Sequence, residues 1–313
     1  MTHGFVFPGQ GSQQVGMGQA LAATYPAARA VFEEVDDALG EPLSRLMFEG
    51  PEDKLVLTEN AQPALMAVSI ATARTLEAEG GFSLSDKCAF VAGHSLGEYS
   101  ALTAVGSLDL ADTARLLRRR GQSMQQAVPV GEGAMAAMLG LDLEAAEALA
   151  AEAAGDGVCS TANDNAPGQV VLSGSKEAVA RAIAIAPDHG ARRCIELPVS
   201  APFHCALMAP VADAMAEALA ATEIRAPSVP LVSNVTAQVV TAPDEIRSLL
   251  VAQVTGMVRW RESMLYMRDN GVDTVVELGA GKVLTGLVRR IDRDLNALAT
   301  ASPEDVAALL AAL

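Results

Sequence analysis

Seven residues, "GHSLGEY" at 93–99, constrain this chain more than any other stretch. They follow the apolar run "CAFVA" and lead into a segment of helical character. A G-x-S-x-G sequence between a strand and a helix describes a strained turn, with glycine on both sides so that the serine hydroxyl stands clear of the backbone. The same turn places the backbone N–H of Leu96 at a helix N-terminus, where it can stabilise a developing oxyanion. A serine in a strand–helix turn also serves as a plain structural residue, but the flanking strand and helix favour Ser95 as a nucleophile.

Around this turn the chain alternates between strand and helix. "GFVF" runs through a glycine-rich turn into "GMGQALAATY", "PALMAVSIATARTLEAEG" reads as a helix, and "KCAFVAG" as the strand before the elbow. That alternation predicts a parallel sheet covered on both faces. From Gly133 to Val199 the order changes to βαββαβ: strand "GAMAAMLG", helix "LEAAEALAAEAA", strands "GVCSTAN" and "GQVVLSGS", helix "KEAVARAIAIA", strand "ARRCIELPV". This is the ferredoxin-like plan. The larger pattern then resumes with "VPLVSNV" and with the strand, glycine turn and helix of "DTVVELGAGKVLTGLVRRI". The expected architecture is a large α/β domain, residues 1–128 and 200–313, interrupted by a small α+β domain, residues 129–199. A chain of 313 residues, half apolar but with one Trp, three Tyr and seven Phe, suits an Ala/Leu/Val-packed α/β protein better than a β-sandwich.

A net charge of −16 argues against nucleic acid as the main partner. Two local exceptions, "RLLRRR" (115–120) and "KVLTGLVRRIDR" (282–293), fit either solvated helix faces or a docking patch for an acidic partner. No apolar stretch approaches bilayer length, and "MTHGFVFPGQG" lacks the basic start and apolar core of a signal peptide, so a cytoplasmic protein is expected. The four cysteines, Cys88, Cys159, Cys194 and Cys205, show no CxxC spacing and read as small buried hydrophobes, with no metal site.

A serine of ordinary pKa needs a general base, and only four histidines are available. His3 lies at a chain end expected to be mobile, His94 projects elsewhere from the elbow, and "PDHG" places His189 at a surface helix end. His204 remains, in "PVSAPFHCALM", where Pro198 and Pro202 hold a non-helical segment. Several acids lie between Ser95 and His204, yet none has a context that singles it out as the third member of a triad. A backbone carbonyl or amide is an equal candidate to orient the ring.

In the predicted helix "LADTARLLRRRGQSM" (110–124), with Asp109 and Asp112 at its N-terminal cap, one arginine is out of place. With Leu117 at the centre of the apolar face, Leu110, Gly121 and Met124 fall within about 40° of it. Arg115 and Arg119 lie about 160° away and Arg118 about 100°, but Arg120 only about 60°. A guanidinium among apolar side chains must be paired. It forms either an internal salt bridge or an anion receptor; beside a serine nucleophile, the second reading implies an acyl group with its own free carboxylate. "FPGQGSQQVGMG" (7–18) is not a dinucleotide loop, because Gln14 stands where the third glycine belongs, and no Walker lysine follows. It reads as a tight turn whose backbone N–H groups, around Gln10, face the elbow. Glu98, in the first turn of the elbow helix, reads as a dipole-favourable residue.

Together these stretches resemble the malonyl-CoA:acyl carrier protein transacylases of dissociated, type II fatty acid synthesis. The resemblance runs from "FVFPGQGSQ" through "GHSLGEYSAL", "RRRGQSMQ", "NDNAPGQVVLSG", "PVSAPFHCALM" and "VRW" to "GAGKVLTGLVRRI". It implies a hydrolase-like α/β domain with a ferredoxin-like insert, and ping-pong transfer through a malonyl-Ser95 intermediate. By the same resemblance His204 is the base, Arg120 the clamp on the malonyl carboxylate, and the N–H groups of Gln10 and Leu96 the oxyanion hole. Gln253 then orients His204 through its main-chain carbonyl. The family pattern has Asn-Pro ahead of "VRW", where this chain reads "TGMVRW". Phe203 in "APFH" matches the arrangement of malonyl-selective members, filling the space an α-methyl group would take. The implied substrate is malonyl-CoA, with no bound cofactor, and the implied partner is holo-acyl carrier protein, docking weakly and salt-sensitively near Arg118, Arg289 and Arg290. A monomer is expected. A serine esterase or thioesterase, and a non-catalytic carrier-binding module, are the competing readings; polyketide assembly or malonate metabolism would use the same chemistry.

Overall fold

The strand that opens the chain explains why both sheet faces must be covered. β1 (His3–Phe7) is buried along its whole length, and its successive side chains point to opposite faces. Phe5 and Phe7 enter one core with residues of the helices Pro26–Leu39 and Thr58–Gly80, while Val6 enters a second with Trp260, Met264 and Val275. The computed structural model describes residues 2–129, 131–199 and 201–313. The remaining strands are β2 (Cys88–Gly93), β3 (Gly133–Leu139), β4 (Cys159–Ala166), β5 (Gln169–Ser175), β6 (Arg193–Glu196), β7 (Leu231–Val232), β8 (Val239–Val240), β9 (Thr274–Leu278) and β10 (Asn296–Thr300).

One sheet has the order β10-β9-β1-β2-β7-β8, parallel throughout except where β8 pairs antiparallel with β7 at the edge. Its helices lie on both faces, as alternating strand and helix require. The helix Thr58–Gly80 is buried almost all round, which an Ala-rich sequence allows because small side chains admit close neighbours. A second, antiparallel sheet has the order β4-β5-β3-β6. The helices Leu143–Ala154 and Lys176–Ile185 cover one of its faces around Met138, Leu149, Leu172 and Val179. Met135, Ala137 and Val171 alternate to the other face and join the large core.

The mixed α/β architecture, with a parallel sheet and a second small antiparallel one, matches the sequence expectation. Two crossings tie the sheets together. The backbone of β4 pairs with Val258 on both sides of Asn163, and Asp164, buried at its carboxylate, forms a salt bridge with Arg261 at 2.7 Å. The domain boundary expected at 199/200 falls on Ser200, which, like Met1 and Val130, lies outside the described residues. No helix among the described residues is long and apolar enough to cross a membrane.

Some local expectations need correction. His3 is not at a mobile end: it opens β1 and is buried, because β1 sits between β2 and β9 in the sheet. "VPLVSNV" yields only a two-residue strand, since Ser233 and Asn234 leave the sheet toward the site. Asp109 does occupy the N-cap of the helix Leu110–Ala127, but its carboxylate accepts from Arg225 instead of from the helix N–H groups. Of the cysteines only Cys205 is fully buried; Cys88, Cys159 and Cys194 are half-buried thiols.

Candidate active site

The site gathers at the carboxyl ends of the parallel strands, where an open α/β sheet presents its loops. β2 ends at Gly93 and the chain turns through His94, Ser95 and Leu96 into the helix Gly97–Ala104. The turn is so tight that a Cβ on Gly93 would lie 1.9 Å from the carbonyl of Gly97, and one on Gly97 would lie 2.2 Å from the Phe7 oxygen. Ser95 itself takes φ 53, and His204 takes φ 58. Two non-glycine residues in the left-handed region cost about 1–2 kcal/mol each, and such strain concentrates where side chains must be aimed.

The Ser95 hydroxyl donates to Nε2 of His204 at 2.8 Å. The other ring nitrogen, Nδ1, faces the carbonyl oxygens of Gln253 at 2.8 Å and Gly256 at 3.1 Å. Carbonyls only accept, so Nδ1 carries the proton and Nε2 is left with its lone pair toward the serine. Among the described residues no carboxylate reaches His204, so backbone carbonyls take the orienting place an acid holds in a triad. Burial, then the nearby Arg120 charge, push the His204 pKa down to about 3.

Arg120 is 2% exposed. Its Nη1 donates to Gln62 Oε1 at 2.7 Å, and its Nη2 donates to Gln253 Oε1 at 2.9 Å and to Ser95 Oγ at 3.2 Å. The Tyr99 ring lies 5.8 Å from the guanidinium carbon, and Nε has no partner among the described residues. Arg120 is thus a buried cation held by neutral amides and a serine, with no salt bridge of its own among the described residues.

Gln10 and Leu96 line the same cavity, of about 370 Å³, with Ser95, Arg120 and His204; Gln62, Met124, Met135, Asn163 and Phe203 contribute to its walls. The backbone N–H groups of Gln10 and Leu96 donate to no protein acceptor among the described residues, whereas the N–H of Ser95 donates to Asn234 Oδ1 at 2.8 Å. Of the positions singled out in the sequence, the structure thus brings Ser95, His204, Arg120, Gln10, Leu96 and Gln253 together. His94 also borders the cavity, but its ring is bound away from Ser95: Nε2 donates to Asn165 Oδ1 at 2.8 Å and the ring packs near Trp260. His189 pairs with Glu152. Arg118 is engaged by Glu41 and Asn60 and is not a free cation. Arg289 and Arg290 are exposed at the end of the helix Val283–Ile291, where Arg290 bonds Gln169.

Sequence reasoning missed Gln62, Asn234 and the side chain of Gln253. The side-chain amide of Gln253 donates to the Ser95 carbonyl at 2.9 Å and to Glu98 at 2.5 Å. Glu98, expected only as a dipole-favourable residue of the first helical turn, is 1% exposed and accepts from Gln253 and from the Asn234 N–H, because the elbow helix turns its first turn into the protein. The sequence leaves only a faint trace of Gln62, an amide in the largely apolar stretch "AQPALMAVSIA".

Comparison with known proteins places the chain clearly. The model of the acyl transferase domain family matches residues 4–310. The malonyl CoA-acyl carrier protein transacylase of Escherichia coli K12 is 49% identical over 307 residues, 98% of each chain. The crystal structure of acyl-carrier-protein S-malonyltransferase from Bartonella henselae superposes with TM-score 0.97 at 55% identity, covering 100% of this chain and 99% of that one. A solved complex of a malonyl-transacylase with its type II PKS acyl-carrier protein superposes with TM-score 0.96 at 42% identity, covering 100% of both chains.

Proposed function

The chain belongs to the acyl transferase family, among the malonyl CoA-acyl carrier protein transacylases, and from that premise we propose that it carries a malonyl group from malonyl-CoA to the phosphopantetheine thiol of acyl carrier protein in fatty acid synthesis. The observation that supports this most is the buried Arg120, 3.2 Å from the Ser95 hydroxyl and without a carboxylate partner of its own. An acyl group with a distal carboxylate supplies that partner once it is bound to Ser95.

Transfer runs in two balanced halves. His204 Nε2 takes the Ser95 proton as Oγ attacks the thioester carbonyl, and the oxyanion is held by the N–H groups of Gln10 and Leu96. The C–S bond breaks and the sulfur leaves with the proton from His204, giving malonyl-Ser95 and free CoA. The carrier thiol then gives its proton to Nε2 and attacks the ester, and Ser95 recovers the proton as its C–O bond breaks. Arg120 holds the malonyl carboxylate throughout, which fixes the acyl carbon relative to both nucleophiles. Phe203 beside His204 limits space at the α-carbon.

In fold terms this reading corresponds to a hydrolase-like catalytic unit, 1–128 and 200–313, carrying a ferredoxin-like unit, 129–199. Arg289 and Arg290 are the exposed cations offered to an acidic carrier; Arg118 is withdrawn from that role because Glu41 and Asn60 already engage it. The protein works as a cytoplasmic monomer without a bound cofactor. Intact-mass measurement after brief mixing with malonyl-CoA tests the proposal. Wild type should gain one malonyl group and lose it to added holo-carrier, while Ser95→Ala gains none. Arg120→Ala should lose malonyl uptake by roughly 10²-fold or more, and acetyl uptake far less. Steady release of free malonate without an adduct would instead mark a hydrolase.

A further inference from the structure

We propose that Glu98 is the positioning residue of the malonyl clamp: its carboxylate locks the side-chain amide of Gln253 in the one orientation that presents oxygen to Arg120. The inference rests on the malonyl-transfer reading of the same site.

The geometry leaves little freedom. Gln253 Nε2 faces three acceptors, Glu98 Oε2 at 2.5 Å, the Ser95 carbonyl at 2.9 Å and Asn234 Oδ1 at 3.4 Å. Its Oε1 faces one donor, Arg120 Nη2 at 2.9 Å. Flipping the amide would set oxygen against three acceptors and N–H against a guanidinium, so every contact would become repulsive. Asn234 is itself pinned, its Nδ2 donating to the Gly93 carbonyl at 2.7 Å and its Oδ1 accepting from the Ser95 N–H. The other oxygen of Glu98 accepts from the Asn234 N–H at 3.3 Å. Among the described residues Glu98 has no salt bridge, and its nearest cation is Arg120, reached through Gln253. An ionised carboxylate only accepts, and buried here it acts as the remote counter-charge of Arg120 while the carboxylate of the substrate is away. Thus one acid, on the helix that starts at the elbow, sets the donor geometry that the malonyl group meets.

The lock depends on ionisation. The titratable and charged groups gathered around Glu98 are Arg120 and Tyr99; burial raises the Glu98 pKa to about 7, against the opposing pull of hydrogen bonds from Gln253 and Asn234 and of the Arg120 charge. A protonated Glu98 gains a donor and loses its hold on the amide, so selectivity for malonyl over acetyl should rise with pH.

The test compares Ser95 acylation by malonyl-CoA and acetyl-CoA in wild type, Glu98→Gln, Arg120→Ala and the double variant. Glu98→Gln should lower malonyl kcat/KM by about tenfold, chiefly through KM, and acetyl acylation by no more than about threefold. In the Arg120→Ala background the same change should have no further selective effect, because the two act through one amide. In wild type alone, without any variant, the malonyl-to-acetyl ratio should rise between about pH 6 and about pH 8 as a buried acid ionises, and Glu98→Gln should flatten it. Equal losses for both substrates, additivity with Arg120→Ala, or a pH-independent ratio in wild type would overturn the proposal. If wild type shows no malonyl preference at all, the clamp reading of Arg120 fails first.

Discussion

Two turns in this molecule are built alike and used in opposite ways. Each leads from a parallel strand through a glycine-bearing turn into a helix: β2 into Gly97–Ala104, and β9 into Val283–Ile291. In the second, glycines Gly279 and Gly281 take the positive-φ positions, and the helix start is filled by a resident anion. Glu277, the penultimate residue of β9, accepts from the N–H groups of Leu284 at 3.1 Å and Thr285 at 2.7 Å, and from the Thr285 hydroxyl at 2.8 Å. In the first, a serine takes the strained position, the acid points inward to Gln253, and Leu96 lines the cavity. The second turn satisfies its donors with Glu277, whereas the Leu96 N–H of the first has no protein acceptor among the described residues, as the proposed oxyanion role requires.

Substitutions can break this contrast in graded steps. The largest effect should come from Gly97→Ala, whose Cβ would meet backbone at 2.2 Å. A clash with backbone that cannot rotate away should cost more than about 4 kcal/mol and leave little folded protein, as thermal unfolding would show. Glu277→Gln, which puts an amide N–H against the helix donors, should destabilise by about 2 kcal/mol in denaturant melts. Transfer activity per folded molecule should be unchanged, because Glu277 lies outside the cavity. Ser95→Gly should reverse the sign, losing the acyl adduct but gaining up to about 1 kcal/mol of stability as the left-handed strain is relieved. Smallest of all is a predicted absence of change. Because burial and Arg120 keep His204 neutral well below its ordinary range, acetyl acylation, which does not use the clamp, should stay level from about pH 7.5 to about pH 5.5. A fall centred near pH 6.5 would show that the base titrates as if exposed.

How far the site was legible depended on what kind of signal each residue left. Ser95 stands in a motif with a mechanical meaning, His204 emerges by elimination from four histidines, and Arg120 violates a helical pattern. Each conflicts with the bland alternative at its own position. Gln62, Asn234 and the Gln253 side chain are neutral amides drawn from a buried helix, a strand end and a helix C-terminus. A neutral amide carries no motif of its own, and apart from Thr58, four residues from Gln62, the side-chain partners of these amides lie between 19 and 158 residues away. Glu98 misled for a related reason: an acid in a first helical turn already has a sufficient local explanation, so nothing in sequence asks for a second. The fold was more legible, because strand–helix alternation is local, but His3 and Asp109 show that a residue's partner is not. His3 is buried by strands distant in sequence, and Asp109 is taken by Arg225 across 116 residues.

The most direct test of the contrast between the two turns is a structure of the enzyme trapped with a malonyl group on Ser95. The expected result is the distal carboxylate within hydrogen-bond distance of both Arg120 Nη atoms, the ester carbonyl oxygen on the N–H groups of Gln10 and Leu96, and the Gln253 amide oriented as it is now. A carboxylate directed to solvent, with Arg120 still bound only to Gln62 and Gln253, would contradict the view that this turn holds its donors and its cation in reserve for the substrate.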